Sequence, residues 1–137
     1  MNKTILVDTN IILRLLIGDI PDQKKLAQEI FRKLDRGQIK VAVSLLVINE
    51  LIWICERFYK LSRHQYLPIL RRLFSERGLV ILEIKKNILI DMLEDLENSK
   101  LDFTDLYLLK VGKNSNFEVK TFDLALQRKS QKKSITN

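Results

Sequence analysis

Short apolar runs alternate along the chain with longer stretches in which apolar residues return every three or four positions. The first run, Thr4 to Val7, is β-branched and aliphatic and reads as a buried strand that stops at Asp8. From Asn10, a residue suited to an N-cap, Ile11, Ile12, Leu15 and Leu16 recur at helical spacing up to Gly18. Asp22 to Arg36 reads as a second helix, with Leu26, Ile30, Phe31 and Leu34 on one face and Gly37 closing it. Ile39 to Val43 is the second strand. Ser44 then caps a helix to about Tyr59 that is apolar nearly all round, from Leu45 to Cys55, and such a helix is expected to be mostly buried.

Ser62 to Arg77 forms another helix, which Pro68 either kinks or starts. A third strand, Leu79 to Leu82, follows Gly78. Helices over Lys86–Asn98 and Asp102–Gly112 precede a fourth strand, Glu118 to Phe122, and a last short helix. Strands alternating with helices at this spacing predict an α/β domain with a mainly parallel sheet and helices on both faces. The pattern supports one domain over residues 1–127, with a basic polar tail over 128–137.

Composition sharpens this picture. The 137 residues include 46% apolar ones, four Gly and two Pro, enough to build a core and unlike a disordered chain. The net charge of +7 comes from 24 basic and 17 acidic residues. Arg128, Lys129, Lys132 and Lys133 hold four of those positive charges, so residues 1–127 carry only +3. A basic surplus points weakly to a polyanionic partner. No apolar run approaches the roughly 20 residues that span a bilayer, and Asp8, Asn10 and Arg14 interrupt any secretory hydrophobic region. Cys55 is the one cysteine, so neither an internal disulfide nor a cysteine-based metal site is open to the chain, and a reducing cytoplasm is the expected compartment.

The acids carry the chemistry. In open parallel sheets the functional crevice lies beyond the C-terminal ends of the strands. Asp8 directly follows strand one, Ser44 ends strand two with Glu50 less than two turns into the next helix, and Thr121 and Asp123 close strand four. A helix leading into a parallel strand runs opposite to it, which brings Asp102 and Asp105 to the same rim. Asp8 stands between two apolar runs, and Glu50 is an ionisable group on an otherwise apolar helix, so burial of either charge would be expensive. Asp102 also suits a helix cap, and a lone acid after a strand is often only a turn residue. Four carboxylates at one rim would raise one another's pKa values unless a counter-charge sits among them. Oxygen-only ligands favour Mg²⁺ or Mn²⁺ over Zn²⁺. Two such ions about 4 Å apart can activate water and stabilise the leaving oxygen of a phosphodiester, so the pattern points to nucleic-acid hydrolysis.

Asp8-Thr9-Asn10 after the first strand, Ser44 and Glu50 within S-L-L-V-I-N-E-L, Asp102-Phe103-Thr104-Asp105 opening a helix, and Thr121-Phe122-Asp123 together resemble the PIN-domain ribonucleases, in particular small toxins of the VapC type. The resemblance runs from Ile5 to about Leu126. It implies a three-layer α/β/α fold with a four- to five-stranded sheet and a metal-dependent endoribonuclease using one or two Mg²⁺ or Mn²⁺ ions. The four acids it assigns are Asp8, Glu50, Asp105 and Asp123, supported by Asn10, Ser44 and Thr121, with Asp102 second to Asp105. An RNA substrate, an inhibitory antitoxin and a homodimer are further implications. Family members often have another strand after the fourth acid, which would fall near Ile135.

Two other readings remain open on residues alone. Asp8 after a first strand also suits an aspartate-nucleophile phosphotransferase, although such sites generally read D-x-D and position 10 is Asn. A non-catalytic binding or dimerisation scaffold is the other. Outside the proposed rim, Asp91, Glu94, Asp95 and Glu97 lie opposite Leu89, Met92, Leu93 and Leu96 and read as a solvated face. Glu83 ends strand three on the rim. His64 reads as a surface residue, Trp53 and Cys55 as core, and Arg71, Arg72 and Arg77 as ordinary helix flanks rather than phosphate contacts.

Overall fold

The strand β2, Ile39–Val43, lies between β1, Lys3–Leu6, and β3, Leu79–Ile81, in a sheet that is parallel throughout. In register, Lys3 faces Ile39, Leu6 faces Ala42, Val41 faces Leu79 and Val43 faces Ile81. This is a computed structural model that describes residues 3–135, with side chains described to residue 131. The central place of β2 follows from its sequence: every residue except Lys40 is buried, as a strand covered on both faces requires.

Each crossover between parallel strands is helical. Helices α1, Thr9–Leu16, and α2, Pro21–Asp35, join β1 to β2. Helix α3, Leu45–Trp53, continues into a π-helical turn at Ile54–Phe58, and α4, Arg63–Phe74, then leads to β3. Ser62 and Gln65 form a reciprocal capping box at the start of α4, so Pro68 lies inside that helix and not in its first turn. After β3 come α5, Lys86–Glu97, α6, Phe103–Ser115, and α7, Leu124–Ile135. Ile12, Ile48, Leu51, Leu67, Leu70, Phe74, Leu89, Met92, Leu93 and Leu96 are fully buried and draw α1, α3, α4 and α5 into one core with the sheet. Each contributes about 1.5–3 kcal/mol relative to exposure in water. No helix among the described residues is long and apolar enough to cross a membrane.

Three expectations about the elements are corrected. Among the described residues there are three strands, and Glu118 to Phe122 is not a fourth. Local bonds hold the chain before and within that segment: the Phe117 N–H donates to Gly112 O at 2.8 Å, Gln127 Nε2 donates to Thr121 O at 2.5 Å, and Thr121 Oγ1 accepts from Asp123 N–H at 3.1 Å. Such bonds compete with a sheet ladder. A further strand near Ile135 is replaced by α7, which takes in most of the segment read as a tail. Finally, α3 is not buried all round. It packs through Ile48, Leu51 and Ile52 while Leu46 and Trp53 are 80% and 61% exposed, because a helix lying over a core has only one face to bury. Trp53 is therefore a surface residue, whereas Cys55 is fully buried as expected.

Candidate functional site

Because the strands are parallel, their C-terminal ends share one edge, and each delivers a polar group there. Asp8 follows β1 with Val7 between, and its Oδ1 accepts from the Ile11 N–H at 3.3 Å. That bond makes Asp8, not Asn10, the N-cap of α1; Asn10 lies exposed in the helix's first turn. Ser44 follows β2 and caps α3, accepting from Leu46 N–H at 3.1 Å. Glu83 lies just beyond β3 and closes over the same helix start: its Oε2 accepts from the Ser44 hydroxyl at 2.5 Å and its Oε1 from Leu45 N–H at 2.7 Å. Partial burial pushes the Glu83 carboxyl up, but these bonds from Ser44 and Leu45 outweigh it and hold the group below its ordinary value. Glu83 anchors the helix that carries Glu50.

Asp8 and Glu50 are both exposed, so the expectation that each sits in an expensive buried position is corrected. Asp8 emerges where the strand leaves the sheet, and Glu50 projects from the open side of α3. What ties them together is the residue between: Thr9, beside Asp8 and only 6% exposed, donates its hydroxyl to Glu50 Oε2 at 3.2 Å.

The other acids meet in a cleft of about 420 Å³ lined by Asp102, Asp105 and Asp123 with Ser99 and Lys129. Burial pushes the Asp105 carboxyl up, and the charges of Asp102 and Asp123 push it further, against a hydrogen bond from the Asp102 backbone. Asp102 occupies the N-cap position of α6 without a side-chain cap bond. Asp123 Oδ1 accepts from Leu126 N–H at 3.0 Å, and Thr121 Oγ1 fixes the Asp123 backbone. A second cleft, about 480 Å³, runs between α3 and the start of α6 and is lined by Glu50, Asn49, Trp53, Glu56, Arg63 and Asp102 among others. Asp102 thus borders both clefts and stands between Glu50 and the Asp105–Asp123 pair. A third groove joins Glu83 to Phe103 and Thr104, so the start of α6 lies at the strand-end rim although no fourth strand follows it among the described residues.

Among the described residues, no three His, Cys, Asp or Glu side chains stand close enough to hold a metal ion as a preformed cage. The donor set nonetheless fits a hard divalent cation: it is carboxylate oxygen throughout, and Asp102, Asp105 and Asp123 line one cleft.

A family model for the PIN domain matches residues 5–132. The chain belongs to the PIN domain family. PIN domains are three-layer α/β/α folds, generally nucleases, and usually bind divalent metal ions. No curated protein and no solved structure matches the chain.

Several groups at this PIN site escaped the sequence reading. Thr9 lay inside the Asp8-Thr9-Asn10 motif and was recognisable only as its middle letter. Lys129 had been assigned to the tail, yet it lines the acidic cleft and its Nζ reaches Ser99 Oγ at 3.5 Å. Glu56, Arg63 and Tyr66 form a network with no local motif. Of the acids read as a solvated face, Asp91, Glu94 and Asp95 are exposed, but Glu97 is not: with 14% of its side chain exposed, it bridges Arg71 at 2.7 Å and His64 at 2.9 Å between α5 and α4.

Proposed function

We propose that this PIN domain is a divalent-metal-dependent endoribonuclease and the toxin of a type II toxin–antitoxin pair. The observation that carries the reading is the convergence of Asp102, Asp105 and Asp123 on one cleft, with Asp102 also lining the cleft of Glu50 and Thr9, the neighbour of Asp8, bonded to Glu50. Asp8, Glu50, Asp105 and Asp123 would hold one or two Mg²⁺ or Mn²⁺ ions, which when bound supply an activated water and charge stabilisation for the leaving oxygen. Thr9 orients the Glu50 carboxylate, Thr121 the Asp123 backbone, and Ser44 with Glu83 the start of α3. Lys129 offers a positive edge to an incoming phosphate chain.

The toxin assignment rests on the motif resemblance: D-T-N, the Ser44 to Glu50 segment, and the acids opening and following α6. It brings an antitoxin partner, a homodimer and a cytoplasmic setting as parts of the same proposal. The test is cleavage of a mixed RNA substrate with added Mn²⁺, repeated with EDTA and with Asp8→Asn. Cleavage is expected only for the unaltered chain with metal. Cleavage in EDTA, or an unimpaired Asp8→Asn variant, overturns the mechanism, and failure of induced expression to arrest growth overturns the toxin role.

A further inference from the structure

Arg63, the first residue of α4, reaches away from its own helix into the loop between α5 and α6. Its Nη1 donates to Leu96 O at 3.0 Å, Ser99 O at 2.6 Å and Leu101 O at 2.8 Å. The same guanidinium pairs with Glu56 through Nε at 3.0 Å and Nη2 at 3.4 Å, and Tyr66 donates its hydroxyl to Glu56 as well. Arg63 is largely shielded, with 17% of its side chain exposed. Residues 98–102 have no regular structure, so the Ser99 and Leu101 carbonyls lack helix or sheet partners and would otherwise depend on water, while Leu96 O at the end of α5 also accepts from the Ser99 N–H at 3.3 Å.

Both ends of this network lie on elements that carry the acids. Glu56 sits in the π-helical turn that continues α3, six residues beyond Glu50. The clamped loop ends at Asp102 and opens α6, which carries Asp105, and its Ser99 and Leu101 line the acidic cleft. Glu56 and Arg63 themselves line the cleft that separates Glu50 from Asp102. A π turn inside an α-helix widens the backbone locally and is frequent at functional sites.

We propose that Arg63 is a positioning residue that fixes the spacing between the Glu50 helix and the Asp102–Asp105 helix start, with Glu56 as its anchor. The proposal rests on the reading of these acids as metal holders. The planar fork explains the choice of residue: Arg presents donors along two edges at once, so one side chain can hold a carboxylate and a cluster of carbonyls, which an ammonium point charge does less well. Tyr66 commits its one hydroxyl proton to Glu56 and so donates none to the loop carbonyls, which makes it an internal control.

The experiment measures Mn²⁺ affinity by titration calorimetry and backbone hydrogen exchange of the metal-free full chain for Arg63→Met, Arg63→Lys, Glu56→Gln and Tyr66→Phe. Arg63→Met should weaken Mn²⁺ binding roughly tenfold to a hundredfold, the range found when groups that orient metal ligands are removed. It should also speed exchange selectively at residues 99–106. Arg63→Lys should recover part of both effects, and Tyr66→Phe should lower melting temperature while leaving affinity within about twofold of the unaltered chain. If Arg63→Met does not fold, Arg63→Lys and Glu56→Gln carry the comparison. Unchanged affinity in the Arg63 and Glu56 variants, or affinity losses that merely track melting temperature across all variants including Tyr66→Phe, overturns the positioning role alone. An unaltered chain that binds no Mn²⁺ overturns the metal reading, and the positioning role with it.

Discussion

Thr9 donates its hydroxyl to Glu50 Oε2 across the gap between α1 and α3, and it is itself buried. Its neighbour Asp8 caps the same helix start, so a single turn of chain sets the direction of one acid and the position of another. Thr9→Val keeps shape and removes only the hydroxyl. We expect a stability loss of about 1 kcal/mol, the usual net value of one such bond. RNA cleavage should fall more, by about tenfold, because the bond orients a proposed ligand. Thr9→Ser should retain most activity. Melting temperature and Mn²⁺-dependent cleavage, measured on the same preparations, check both parts.

Asp105 gives the opposite balance. Its carboxyl is raised by burial and by Asp102 and Asp123, so in the folded chain it holds its proton more tightly than in the unfolded chain. Its ionisation therefore costs stability as pH rises above the ordinary aspartate value of 3.8, and the cost is complete once pH has passed the raised folded value. Asp105→Asn should raise the melting temperature at pH 7 in EDTA and lose this advantage in acid. The same variant should lose cleavage by more than about a hundredfold, since removing even the groups that orient metal ligands can reach that figure. Adding Mn²⁺ reverses the ranking: at 100 times Kd a bound ion stabilises by about 2.7 kcal/mol, a gain the variant should largely forgo. Thermal melts at pH 7 and in acid, with EDTA or Mn²⁺, separate these outcomes.

The contrast between these two residues shows what the sequence exposed. Apolar runs located the three parallel strands and apolar periodicity the helices between them, although β1, read as buried, is exposed at Lys3, Thr4 and Leu6. Topology placed Asp105 at the rim by way of a strand after α6 that does not form among the described residues; what the structure shows instead is the start of α6, at Phe103 and Thr104, sharing a groove with Glu83. Burial was a poorer guide: Asp8 and Glu50 are exposed, and the apolar sequence of α3 concealed an open face carrying Leu46 and Trp53. The Glu118–Phe122 segment reads as a strand, but no pattern of side chains reveals that Gln127 occupies the Thr121 carbonyl. Arg63 is the extreme case. Its partners in the α5–α6 loop are backbone carbonyls, which every residue has, so the contact leaves no trace in residue type.

Glu83 supplies a pH test away from the acidic cleft. Hydrogen bonds from Ser44 and Leu45 hold its carboxyl below the ordinary value of 4.5, against the opposing effect of partial burial. An acid with a depressed folded value stabilises the fold above its unfolded value and loses that contribution as pH falls through the folded one. Glu83→Gln should therefore destabilise the chain at pH 7, and its difference from the unaltered protein should shrink as pH falls below 4.5. Ser44→Ala removes both the helix cap and a donor to Glu83, so it should cost about 0.5–2 kcal/mol at pH 7. Denaturant melts from neutral to acid pH check the sign; a difference that grows in acid contradicts it.

Cys55 and Trp53 lie two residues apart on one helical run and should report opposite environments. Trp53 is 61% exposed, whereas Cys55 is fully buried and its thiol is pushed up to about 11, chiefly by burial and then by the nearby Glu56 charge. Thiolate is the reactive form, so a buried thiol with a raised value is doubly protected. In native buffer at pH 8, Cys55 should react with a disulfide reagent only at the rate of transient opening, and at once in denaturant. Trp53 emission should be red-shifted and accessible to a neutral quencher in the same native sample. Arg63→Met provides the link to the loop network, because Glu56 follows Cys55 and loses its ion pair in that variant. If the network also secures the π-helical turn, Cys55 should label faster in Arg63→Met while the exposed Trp53 signal stays nearly constant. Equal labelling rates would place the stability of that turn in the apolar packing around Cys55 and not in the Arg63–Glu56 pair.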